Sequence, residues 1–159
     1  MGNNKIKLIE IFSGIGAQER ALRQLPINCE VVATMDVEKD AILSYAAMRY
    51  DFEKEFNNYT FPSKETMVSE LQKKNVGFDF AKSKHTITMR TNENKVKQYY
   101  LADKLAKNLG DVSLCESLPY VDIVFHSSPC QSFSQAGLGA GGDEGSGTTS
   151  SLMWESLRL

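Results

Sequence analysis

The first fifty residues alternate two hydrophobic periods, and few folds accept that alternation. Lys7 to Phe12 (KLIEIF) is a short apolar run closed by Ser13-Gly14, the pattern of a buried strand that ends in a tight turn. Ala17, Ala21, Leu22 and Leu25 then recur at threes and fours until Pro26, which predicts a helix over about 16–25. Glu30 to Met35 (EVVATM) reads as a second strand ended by Asp36, and Lys39 to Tyr50 as a second amphipathic helix. Strand, helix, strand, helix in this order predicts βαβ units and an α/β fold on a mostly parallel sheet.

Residues 51–109 carry weaker periodicity. Pro62-Ser63 before Met67, Val68 and Leu71 predicts a short capped helix. His85 to Arg90 (HTITMR) reads as an edge strand. Val96 to Leu109 has helical spacing, with Gly110 as its C-cap. Val121 to Phe125 (VDIVF) is another buried strand, leading into His126-Ser-Ser-Pro-Cys-Gln131. Six of the eleven glycines fall between 137 and 147, which makes that stretch either a closing flap or disordered chain. A helical pattern resumes at Ser151.

Charge enters through its distribution, since the net value of -2 says little about partners. Residues 51–108 hold eleven basic and eight acidic side chains, interspersed as on a solvated surface, and residues 109–159 hold one basic against six acidic. No run of about 18 apolar residues spans a bilayer, and the N-terminus runs into a strand pattern instead of a signal peptide, so a cytoplasmic protein is expected. Cys29, Cys115 and Cys130 are an odd number without CxxC spacing, so neither a disulfide framework nor a metal site is expected.

Two places carry chemistry. Phe12-Ser-Gly-Ile-Gly16 lies where a strand turns into a helix, and glycines there let backbone N–H groups approach a ligand. The dinucleotide pattern GxGxxG wants a glycine at position 19, where Glu19 would meet a pyrophosphate with like charge, so an adenosine cofactor without phosphates fits better. Asp36, twenty residues past Gly16, is placed to accept from ribose hydroxyls. An ordinary tight turn and a surface aspartate remain the plain alternative. The later glycine-rich stretch has no lysine for a phosphate, which removes a Walker loop. Cys130 follows a central strand and precedes a flexible loop, a setting for an exposed nucleophile, although free cysteines are more often structural. Cys29 and Cys115 have no such setting.

The segments EIFSGIGA (10–17), TMDVEKDA (34–41), GDV (110–112), SSPCQSFSQAG (127–137) and SSLMWE (150–155) together resemble successive motifs of the C5-cytosine DNA methyltransferases of bacterial and phage restriction-modification systems. The resemblance implies a Rossmann-like S-adenosylmethionine-dependent methyltransferase fold, with residues 1–159 forming its N-terminal part and an insertion at about 51–109. It implies that Phe12, Ser13, Gly14, Ile15 and Gly16 wrap the cofactor, with Phe12 against the adenine. Asp36 would hold the ribose, Val37 would touch the adenine, and Asp111 with Val112 would recognise its edge. Pro129 would line the space between cofactor and base, Leu152 would close over the cofactor, and Cys130 would be the nucleophile. Double-stranded DNA is then the substrate of the complete enzyme, and the target cytosine must be flipped out to be reached.

Departures qualify the resemblance. His126-Ser127-Ser128 stands in for an apolar lead-in. The family's Glu-Asn-Val segment, its arginine-bearing motif, its target-recognition domain and the late helix that completes the cofactor pocket do not occur in these residues. The fragment is therefore expected to be inactive alone unless a second polypeptide supplies the rest. The alternative is a domain that binds S-adenosylmethionine or docks a partner without catalysis of its own. A Rossmann oxidoreductase is opposed by Glu19 and by Pro129-Cys130-Gln131.

Overall fold

A computed structural model describes residues 5–130 and 140–159. Gln131 and residues 137–139 of the expected flap lie outside the described residues. The chain folds as a Rossmann-like α/β structure around a parallel three-stranded sheet in the order β2-β1-β5, with β1 at Ile6–Ile11, β2 at Cys29–Met35 and β5 at Ile123–His126. Both partners run parallel to β1. Leu8, Ile9 and Ile11 are almost completely buried because β1 is the central strand and both its faces are covered. Phe12 leaves the strand with a left-handed backbone, φ +55°, and begins the glycine turn.

Helix α1 spans Ala17–Leu22, shorter than the periodicity predicts. Its last turn tightens as the N–H groups of Gln24 and Leu25 reach back three residues to Ala21 and Leu22, so the chain unwinds before Pro26. Helix α2, Lys39–Arg49, is capped by the Glu38 carboxylate. The segment that follows builds helices α3 (Phe52–Asn58), α4 (Lys64–Lys73) and α5 (Glu93–Leu105) and a small hairpin of β3 (Phe78–Asp79) and β4 (Lys84–His85). Asp51, Ser63 and Asn92 each cap the helix they precede with a side-chain oxygen. Helices α2, α4 and α5 enclose a core of Ile42, Tyr45, Ala46, Met67, Leu71 and Tyr100, distinct from the sheet core of Ile9, Ile11, Ala33, Met35 and Val112.

Three sequence expectations are corrected here. The edge strand at 85–90 reduces to Lys84–His85, because Thr88 and Thr91 close a turn on each other immediately afterwards. The α3 helix was not expected. Helix α5 begins and ends earlier than 96–109, and Gly110 is not its cap. Lys107 turns left-handed at φ +50°, and the chain is drawn into a parallel bridge between Asn108 and Thr34, extending the sheet beyond β2. Thr34 N–H donates to the Lys107 carbonyl and Leu109 N–H to that of Thr34. That rudimentary strand delivers Gly110-Asp111-Val112 to the carboxyl ends of β1 and β2, followed by a 3-10 turn at Val112–Leu114. Helix α6, Leu152–Arg158, packs beside this turn and returns Arg158 to the carbonyls of Val112 and Cys115. No helix among the described residues is long and apolar enough to cross a membrane.

Candidate cofactor cleft and nucleophile

The glycine turn is held from below by ionic groups. Gly14 and Gly16 have φ of +52° and +76°, conformations that a side chain disfavours. Arg49 of α2 donates to the carbonyls of Ile15 at 3.0 Å and Gly16 at 2.7 Å, and pairs with Glu19 at 2.9 Å. Glu19 also bonds Arg23 and is only 3% exposed. Glu19 therefore faces the two arginines, which replaces the expectation that it meets a ligand's charge. Glu10 of β1 is buried beside this group. It accepts from Glu19 N–H at 3.0 Å and from the Tyr45 hydroxyl at 2.8 Å. Burial pushes its carboxyl pKa up, against these hydrogen bonds and the Arg49 charge.

Asp36 ends β2 and faces the turn. Its Oδ2 accepts from Gly14 N–H at 2.7 Å and its Oδ1 from Glu38 N–H at 2.8 Å. Burial raises its pKa, and the N–H groups of Glu38, Gly14 and Val37 oppose the rise. Three N–H groups on a carboxylate with about four acceptor sites leave room for a ligand hydroxyl. Asp111, which is buried, accepts from the N–H and hydroxyl of Ser113 through Oδ1 and from the Asn75 amide at 2.8 Å through Oδ2.

These residues meet in one cleft. Phe12, Met35, Asp36, Val37, Phe80, Gly110, Asp111, Val112 and Leu152 line it, at the carboxyl ends of β1 and β2. Six of them are candidates named from the sequence: Phe12, Asp36, Val37, Asp111, Val112 and Leu152. Among the described residues the lining is apolar apart from two carboxylates and includes no lysine or arginine. Such a slot suits a flat, neutral heteroaromatic group bearing hydroxyls and an amine, and repels phosphate. The adenosine of S-adenosylmethionine has the groups that such a lining can meet: a flat base, ribose hydroxyls and an amine. A wider groove bordered by Val32, Lys74, Lys104 and Lys107 includes neither the glycine turn nor Asp36 nor Asp111.

The other candidates lie outside the cleft lining. Ser13 is buried and donates its N–H to the Met35 carbonyl, while Ile15 is 51% exposed. Gly14 and Gly16 act through backbone, as described. Pro129 and Cys130 follow β5, with Cys130 exposed. The approach to them is pinned beside the turn: Ser127 N–H donates to the Ile11 carbonyl at 3.2 Å, and Gln18 donates to the Ser127 hydroxyl. Sequence reasoning missed Arg49, Asn75 and Phe80. Arg49 reads as one more basic residue at a helix end. Asn75 and Phe80 stand in a segment without a clear period.

Comparison with known proteins places the chain beside DNA methyltransferases. The family model described as C-5 cytosine-specific DNA methylase matches residues 65–159. The chain is 33% identical over 156 residues to the type II methyltransferase M2.ScrFI of Lactococcus lactis subsp. cremoris, covering 97% of this chain and 43% of that protein. It is 31% identical over 161 residues to the orphan methyltransferase M.SssI of Spiroplasma monobiae, covering 95% and 41%. The orphan methyltransferase M.Rho11sI of Bacillus phage rho11s is 28% identical over 147 residues, covering 91% and 19%. The chain thus spans less than half the length of these relatives.

Proposed function

This chain belongs to the C-5 cytosine-specific DNA methylase family, a family of DNA methyltransferases, and from that premise we propose that it carries the cofactor site and the nucleophile of a DNA (cytosine-5-)-methyltransferase. The observation that carries the proposal is the cleft where Phe12, Asp36, Val37, Asp111, Val112 and Leu152 converge, with Cys130 following the neighbouring strand β5. S-adenosylmethionine would supply an electrophilic methyl group on a sulfonium. Phe12, Val37, Val112 and Leu152 would enclose its adenosine. Asp36 would accept from the ribose hydroxyls and Asp111 from the adenine amine. The backbone of Ser13 to Gly16 would shape the remainder, and Pro129 would lie between cofactor and base.

The reaction assigns Cys130 a definite bond. Cytosine C5 is a poor nucleophile, so the Cys130 thiolate adds at C6 and gives C5 enamine character. C5 would then take the sulfonium's methyl group, the electron pair of the broken S–CH3 bond staying on sulfur. Loss of the C5 proton to a base lets the C5–C6 double bond re-form as the cysteine leaves with the electron pair of the C6–S bond. Neither carbon is reachable inside a duplex, so the cytosine is flipped out at about a few kcal/mol. Double-stranded DNA is the substrate in this reading. The part of the site that reads bases comes from target-recognition segments outside residues 1–159, in the same polypeptide or a second one. The setting is the cytoplasm of a bacterial or phage-infected host.

The test uses the enzyme with its target-recognition part supplied. DNA containing 5-fluorocytosine traps the covalent adduct, because the fluorine cannot leave as a proton does. Capture is expected for the wild type and absent for Cys130→Ser. Capture that persists in the variant removes Cys130 from the role.

A further inference from the structure

We propose that Phe80 is an adenosine-binding residue, its ring forming a wall of the cleft against which the adenine of S-adenosylmethionine stacks. The inference rests on the reading of the cleft given above and adds to it a residue that lies in none of the motif segments 10–17, 34–41, 110–112, 127–137 and 150–155.

Phe80 follows β3 in the small hairpin, yet it lines the cleft together with Phe12, and these two are the aromatic residues of the lining among the described residues. The ring is 51% exposed, so it is not a core residue that happens to border a void. It is buttressed on the protein side. Phe78 meets it edge-on with centroids 5.0 Å apart, and His85 meets Phe78 at 4.9 Å.

The hairpin is also anchored where the cofactor would lie. Gly77 N–H donates to the Val37 carbonyl at 2.7 Å, tying the hairpin to the residue after Asp36. The Gly77 carbonyl in turn accepts from Thr86 N–H and hydroxyl at 2.8 and 2.7 Å. Gly77 has φ +73°, and a Cβ there would meet Ile87 and Thr86 at 3.0 Å, so the close approach needs glycine. A large aromatic surface is thus held half in water in an apolar slot that also includes the Asp36 and Asp111 carboxylates, acceptors suited to a ribose and an amine. Covering the ring with a flat base removes both apolar surfaces from water and adds stacking.

The test measures calorimetric affinities for S-adenosylmethionine and S-adenosylhomocysteine, on the same preparation used for adduct capture. Phe80→Ala is expected to weaken both ligands by about 5- to 150-fold, the range that loss of a stacked base gives. Phe80→Trp should keep most of the affinity, with Phe80→Leu between the two. Because the ring is half exposed, unfolding midpoints should move little. Asp36→Ala, run beside them, separates the two levels of the reading. Weakening by Asp36→Ala with no change in Phe80→Ala overturns the role of Phe80 and leaves the cleft standing. A loss confined to S-adenosylmethionine places the ring at the sulfonium and overturns adenine stacking, and equal losses in the Trp and Ala variants do the same. Absence of saturable binding by the wild type overturns both readings.

Discussion

Gly110→Ala puts the placement of Asp111 under direct load. Gly110 joins the rudimentary strand at 107–109 to the cleft and has φ +89°. A Cβ built there would lie 2.5 Å from Lys74 Cβ and 3.0 Å from Lys74 Cα, and nearer still to the Lys74 carbonyl oxygen. That same oxygen accepts the Asp111 N–H at 2.9 Å. Two penalties therefore add. A side chain in the left-handed region costs about 1–2 kcal/mol. Forcing a methyl group against backbone that cannot rotate away costs about 1–3 kcal/mol more. The sum is roughly 2–5 kcal/mol, measured by urea unfolding with an unchanged m-value. Gly145→Ala is the control, since Gly145 has φ +73° with nothing within 4 Å of the built Cβ. It should lose only the backbone penalty of about 1–2 kcal/mol. The clash at Gly110 is relieved by moving Asp111 and Val112, so cofactor affinity should fall at least about tenfold in that variant and stay unchanged in the control. Equal destabilisation of the two variants would refute the close approach of Lys74.

Two further substitutions probe the buried charges. Lys74 Nζ lies 2.7 Å from Asp103, whose side chain is 2% exposed, so Lys74→Met should destabilise by about 3–5 kcal/mol at neutral pH. Burial already raises the Asp103 pKa above its ordinary 3.8, against the pull of Lys74 and Asn108. The folded chain therefore holds this proton more tightly than the unfolded chain, and stability falls as pH rises through the window above 3.8. Removing Lys74 widens that window, so the variant's penalty should shrink between pH 7 and pH 5; a pH-independent penalty would count against the pair. Tyr45→Phe deletes the hydroxyl that donates to buried Glu10 at 2.8 Å and should lower unfolding stability by about 1.5–3 kcal/mol. A loss below about 0.5 kcal/mol would mean that Glu10 finds another donor.

The parts of this fold that were legible in the sequence are those written in short-range pattern. β1, the glycine turn, β2 with Asp36 at its end, and α2 each follow from a run of fewer than a dozen residues. The end of α5 did not, because Lys107 to Leu109 is diverted from helical spacing by pairing with Thr34, more than seventy residues away. Phe80 was invisible for a related reason. Two-residue strands carry no period, and the hairpin that carries it is tied to Val37, forty residues earlier, through the Gly77 N–H. Gly110 was legible as a glycine and misread in role, since spacing alone does not separate a helix cap from a close approach to Lys74.

Glu19 shows how an expectation about a ligand's charge can rest on the wrong contact. Its position, where a dinucleotide site has a third glycine, suggested repulsion of phosphate, but its carboxylate is turned into Arg23 and Arg49. In a GxGxxG turn that glycine lets helix and strand pack closely. Here the same junction is built ionically. Glu10 on β1 accepts the Glu19 N–H, Glu19 pairs with Arg49 on α2, and Arg49 donates to the carbonyls of Ile15 and Gly16. The turn is thereby fixed against α2 as well as β1, and its Gly14 N–H is aimed at Asp36 on the far side. A feature that bears on phosphate lies elsewhere: among the described residues the cleft lining has two carboxylates and no lysine or arginine. The reading of the ligand rests on that lining, and the ionic junction holds the glycine turn beside Asp36.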